Sequence, residues 1–163
     1  MTRLKTLFEE LGFTEVETFI ASGNVIFATP KRTSSSQLEK RIAAHLESEL
    51  GYEVDTFVRT VDEVVRIAKA KVFREDGEPG ITIHVAFLQE ELAPAVARKL
   101  AAVRTDYDAF HVKGREFYWL CRGRMSDSKV WTLPEMREIK LPTSTMRNFT
   151  SVRKLVEKHI MDQ

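Results

Sequence analysis

Two strand–turn–strand segments, 91 residues apart, constrain this chain more than any other feature. In residues 15–28, Val16, Thr18 and Ile20, then Val25 and Phe27, alternate in period two about Ser22-Gly23. Residues 107–121 do the same about Lys113-Gly114. A glycine at each hinge supplies the positive φ that a tight hairpin turn requires. Shifted by 91 residues, the two segments superpose without a gap: Val16 meets Tyr107, Phe19 meets Phe110, Gly23 meets Gly114 and Phe27 meets Tyr118. Hairpins demand antiparallel pairing, so neither an all-helical fold nor a purely parallel sheet fits.

Helical periodicity fills the intervals. Leu4, Leu7, Phe8 and Leu11 mark a helix over residues 2–12, stopped by Gly12. Leu38, Ile42, Leu46 and Leu50 mark another, with Ser34, Ser35 or Ser36 as its cap and Gly51 as its stop. Residues 54–59 read as a strand, and Val61, Val64, Val65 and Ala68 as the stripe of a helix reaching Lys71. Residues 81–88 are the most strand-like run, Pro94 sits early in a helix to about Val103, residues 123–144 are irregular, and 147–160 close as a helix. Each hairpin therefore follows one helix and precedes another, and strand 81–88 completes most of a ferredoxin-like split βαβ.

The expected fold is α+β: two tandem ferredoxin-like halves with mainly antiparallel sheets and helices packed on one face. The N-terminal half spans 1–73, the C-terminal half 80–163, and Arg-Glu-Asp-Gly-Glu-Pro-Gly at 74–80 is the linker. The first half lacks an opening strand. Residues 54–59 and hairpin 15–28 would then pair directly, or a partner's strand would fill the gap, so self-association through unpaired edges is expected there.

Composition narrows the function class. No apolar run approaches the roughly 20 residues of a membrane span, and Glu9 and Glu10 interrupt any leader-like apolar core. One cysteine, Cys121, permits no internal disulfide, so a reduced, cytoplasmic setting is expected. Charge is uneven: residues 1–110 carry 14 basic and 18 acidic side chains, a balance of −4, and residues 111–163 carry 11 and 6, a balance of +5. The basic end either faces a polyanion or complements acidic helices within the molecule.

Two polar clusters stand out. Ser22-Gly23-Asn24 presents N–H, hydroxyl and amide groups at a turn, either to an anion or simply to make the turn. Thr145-Met146-Arg147-Asn148 precedes the last helix. There the orphan N–H groups and the arginine fork suit a carboxylate or phosphate, or else form an ordinary cap. Phe110, Phe117, Tyr118 and Trp119, interleaved with Lys113, Arg115, Arg122 and Arg124, form a basic-aromatic mixture of the kind that stacks nucleic-acid bases, or a core. His45, His84, His111 and His159 show no His-x-x-x-His spacing, so neither a metal nor a cofactor is expected. Cys121 reads as a small buried hydrophobe, and the nucleophile elbow, phosphate loop and dinucleotide fingerprint are all missing.

The runs Ser22-Gly23-Asn24-Val25-Ile26-Phe27 and Thr145-Met146-Arg147-Asn148-Phe149-Thr150-Ser151-Val152-Arg153-Lys154-Leu155 resemble the bacterial family catalogued as domain of unknown function 1697 (DUF1697). The resemblance implies a fold and two candidate clusters, but no reaction. Members of that family usually begin with a strand and an Arg-Gly-Ile-Asn-Val-Gly-Gly-like loop, which has no counterpart here. The expectation is a binding protein for a small anionic ligand or a partner, with its site at Ser22, Asn24, Thr145, Arg147 and Asn148. The alternatives are a nucleic-acid-binding module using Lys113, Arg115, Tyr118, Arg122 and Arg124, and an enzyme of unknown type.

Overall fold

A computed structural model describes residues 2–19, 23–30 and 32–161. The protein is α+β, with one two-stranded and one four-stranded antiparallel sheet among the described residues. It divides into two compact units, residues 1–60 and 61–163.

The first unit runs α1 (Thr2–Glu10), β1 (Thr14–Phe19), β2 (Asn24–Ala28) and α2 (Ser35–Leu50). Ser34 caps α2 by accepting the Gln37 N–H, and Gly51 ends it in the left-handed conformation at φ 82°. The periodic leucines and Ile42 of α2 meet Leu7 and Phe8 of α1 in one buried cluster with Phe13 and Val16. Phe13 stacks on Phe27 at 4.4 Å, and Phe8 adds a tilted contact to Phe27 at 5.4 Å. The hairpin pairs Phe19 with Asn24 and Thr18 with Val25. A register shift between Thr14 and Glu17 marks a bulge, with Glu15 at φ 50°.

The expected strand at 54–59 does not form, and it pairs neither with the hairpin nor with any other described strand. Its backbone is satisfied differently. The Val58 N–H donates to the carboxylate of buried Glu39 at 2.7 Å, while Val54 and Val58 pack against the α1–α2 core. Apolar residues that looked like a strand are the inner side of an irregular segment held by a helix side chain.

The second unit opens with α3 (Val61–Lys69), followed by β3 (Thr82–Phe87), α4 (Pro94–Ala102), β4 (Asp108–Lys113) and β5 (Glu116–Cys121). Two 3₁₀ turns (Met125–Asp127, Val130–Thr132) and the short α5 (Pro134–Arg137) lead to β6 (Thr145–Asn148) and α6 (Phe149–Val156). The strand order is β4-β5-β3-β6, antiparallel throughout. Residues 74–80, expected as a linker, lie inside this unit, where the Asp76 carboxylate receives the Arg153 guanidinium.

Helices cover both faces of the four-stranded sheet, not one. Ile83, Val85, Tyr118 and Leu120 point to Ile67 of α3 and Phe149 and Val152 of α6. Ala86, Phe117, Trp119 and Cys121 point the other way, to Leu100, Val130, Met136 and Ile139. The reason is legible in β5: Phe117 through Cys121 is an unbroken buried run, which a sheet with one wet face does not use.

A buried carboxylate ties the irregular stretch to the sheet. Asp108 Oδ1 accepts from Trp119 Nε1 at 2.8 Å and from the Ser128 hydroxyl at 2.6 Å. Its Oδ2 accepts from the Thr105 hydroxyl at 2.7 Å. The Thr105 oxygen in turn accepts the Tyr107 and Asp108 N–H groups at 2.9 and 2.8 Å. Every donor around this carboxylate is thereby satisfied.

Candidate functional site

Of the expected anion-site residues, Ser22 lies outside the described residues. Asn24 begins β2 of the first unit. Thr145, Arg147 and Asn148 come together in the second unit, on a short strand that runs directly into the N-terminus of α6. They occupy β6, where Arg147 faces Val85 and Asn148 faces His84 across the pairing with β3. Arg147 donates to the Thr145 hydroxyl at 2.6 Å and to the Met146 carbonyl at 3.0 Å, and its burial lowers the guanidinium pKa. Asn148 is the N-cap of α6, its side-chain oxygen accepting the Thr150 N–H at 2.8 Å.

The basic-aromatic set also resolves differently. Phe110, Phe117, Tyr118 and Trp119 are buried in the two core layers and present no face for a base. Burial pushes the Tyr118 hydroxyl up to about 12, with Glu116 adding to it. Arg122 pairs with Glu75 and Arg124 with Asp127. The Arg122 hydrogen bond is the main reason the Glu75 carboxyl lies below its ordinary value. Cys121 has no exposed surface, and burial raises its thiol to about 12, with Asp108 contributing. A thiol so placed is a packing residue, not a nucleophile.

Lys113 and Arg115 remain at the surface, and here the structure offers a cavity. The β4–β5 loop is the two-residue Gly114-Arg115, with Gly114 at φ 58°, as a II′ turn requires at its first central position. This turn and α3 border a cleft of about 360 Å³ lined by Glu63, Arg66, Lys113, Arg115, Glu116 and the edge of buried Tyr118 among others. Arg115 is fixed by the Glu63 carboxylate at 2.9 Å. Among the described residues no hydrogen bond or ion pair holds the side chain of Arg66 or Lys113. Three cations and two carboxylates converge, leaving the cleft with one net positive charge. Glu63 and Arg66 belong to α3, which sequence periodicity places correctly as a helix. Its position beside a turn 50 residues later leaves no sequence signal.

Among the described residues, no helix is long and apolar enough to cross a membrane. A search of the curated proteins returns no match. Among solved structures, a conserved bacterial protein from Streptococcus pneumoniae, SP0830, aligns with a TM-score of 0.69 at 15% identity, covering 97% of this chain and 89% of that one. At that identity the likeness speaks for the fold alone. The sequence profile of the family described as proteins of unknown function, DUF1697, matches residues 1–118. That match spans most of the chain, from α1 through β4 and into β5: the protein belongs to the DUF1697 family.

Proposed function

We propose that this protein binds a small anionic ligand in the cleft between α3 and the β4–β5 turn. The observation that carries the reading is the convergence of Arg66 and Lys113 on a concave site beside an arginine already oriented by Glu63. An arginine held by one carboxylate keeps its remaining N–H groups in a fixed plane, which suits a carboxylate or phosphate oxygen. Glu63 and Glu116 would discriminate against highly charged anions and favour a ligand that also carries a donor. We place the protein in the cytoplasm on the strength of its single cysteine.

The test uses inorganic phosphate, citrate, amino acids and a short oligonucleotide as probes, followed by backbone NMR shifts. Saturable shifts at 63–70 and 113–118, lost in Arg66→Gln/Lys113→Gln, are the expected result. No saturable shift with any probe, or shifts unchanged in that variant, would overturn the reading. Binding of the oligonucleotide alone, with a steep salt slope, would instead make the protein a nucleic-acid-binding module.

We read the second unit as a ferredoxin-like split βαβ, because β4-β5-β3-β6 is the order that arrangement produces. A duplicated origin of the first unit is supported by its matching helix–hairpin–helix order.

A further inference from the structure

We propose that Glu10, His45 and Glu49 of the first unit form a three-ligand site for a divalent first-row transition metal, with zinc as the representative ion. One nitrogen and two carboxylate oxygens from these residues lie within 4.8 Å of one another. His45 and Glu49 are four residues apart on α2 and so share a face. Glu10 comes from the end of α1, brought alongside by the packing of the two helices.

The spacing suits a metal. Zinc bonds of about 2.0–2.2 Å in a tetrahedron put neighbouring donors roughly 3.3–3.5 Å apart. His45 Nε2 and Glu10 Oε1 stand at 3.0 Å, so this edge needs almost no adjustment. The carboxylates are exposed and can rotate inward, while the half-buried imidazole is held more firmly.

The backbones carrying these ligands are braced. Arg41 donates to the Leu11 carbonyl at 2.6 Å, and Arg3 to the Glu49 carbonyl at 2.9 Å. Leu7, Phe8, Ile42 and Leu46 pack the same two helices together beneath the cluster. With the backbones braced, the ordering cost of binding falls mainly on the two carboxylate side chains.

The donor set also selects the class of ion. An imidazole nitrogen with two carboxylates favours zinc, cobalt or nickel over the all-oxygen preferences of magnesium and calcium. Two carboxylates and a neutral imidazole balance a doubly charged ion. Three protein ligands leave a position open for water or an exogenous group.

The experiment is calorimetric titration of tag-free, chelator-stripped protein with zinc chloride, backed by the visible spectrum with cobalt. One equivalent should bind, and His45→Gln and Glu49→Gln should each weaken it on the order of tenfold or more, beyond what is usual for outer-shell changes. Because the cluster is at the surface, both variants should keep the parent circular dichroism. No stoichiometric binding by the parent overturns the proposal. So does undiminished affinity in either variant, which would assign the zinc to another histidine as an adventitious ion.

Discussion

Replacing Asp108 with Asn should destabilise the second unit by about 2–3 kcal/mol. The carboxylate accepts three side-chain hydrogen bonds and is 3% exposed. Asparagine offers one acceptor oxygen and one NH₂. With its oxygen toward Trp119 and Ser128, the NH₂ meets the Thr105 hydroxyl. That oxygen already accepts two N–H groups, so it cannot take a third. With the amide flipped, the NH₂ meets the Trp119 N–H, which can only donate. Either way one hydrogen bond to a charged group is lost, about 1.5–3 kcal/mol, and one buried donor is stranded, about 1–3 kcal/mol. Removing a buried charge returns part of that sum. The assay is urea unfolding followed by tryptophan fluorescence. Trp119 and Trp131 are the only tryptophans and both lie in the second unit, so the signal isolates it. A loss below about 1 kcal/mol would refute the donor-conflict argument. In a double-mutant cycle, Ser128→Ala should couple to Asp108→Asn by at least about 0.5 kcal/mol.

Arg153 stacks on Phe149 at 3.8 Å, donates to the Ala68 and Ala70 carbonyls and binds Asp76 with two nitrogens. With the arginine side chain 36% exposed, Arg153→Met should reduce the same fluorescence-detected stability by about 1–2 kcal/mol. His84 is buried, no polar group among the described residues reaches its Nε2, and burial lowers its pKa. The unfolded chain therefore takes up the proton first, so stability should fall as pH drops below about 6.5, by at most about 1.4 kcal/mol per pH unit from this group. Urea midpoints between pH 8 and 5.5 should show a shallower slope in His84→Gln. Cys121 should resist a thiol reagent in native protein and react at the rate of unfolding; rapid native labelling would contradict its burial. Hydrogen exchange should be slower in β3 and β5, at the centre of four strands, than in the two-stranded β1–β2 sheet.

The elements visible in the sequence are those whose signals are local. Gly114 and the alternation around it announce β4–β5, and Ser34 and Gly51 bracket α2 at its true ends. What escaped depends on distant partners. Thr145 to Asn148 has no apolar alternation, because all four residues are half-buried and the strand exists through its pairing with β3, some 60 residues earlier. Residues 54–59 have strand-like composition, yet Glu39 takes the Val58 N–H that a ladder would have used. The candidate sites divide the same way. His45 and Glu49 show a helical i, i+4 pair, but Glu10 joins them only through the packing of α1 on α2. Lys113 and Arg115 were legible as a charged turn, whereas Arg66 becomes their neighbour only once α3 lies against β5.

The clasp between Arg153 and the stretch that follows α3 bears on how the second unit can be cut. A fragment starting at residue 80, where the glycine and proline suggest a boundary, would leave Ile67 and Phe73 behind and uncover Val85, Leu120 and Phe149. It would also strip Arg153 of Ala68, Ala70 and Asp76 together. Such a fragment presents bare apolar sheet to solvent and should aggregate when expressed alone, whereas one starting at residue 61 keeps its covering layer. For the same reason a protease that nicks the exposed turn at 77–80 should leave two pieces that stay associated until denaturant parts them.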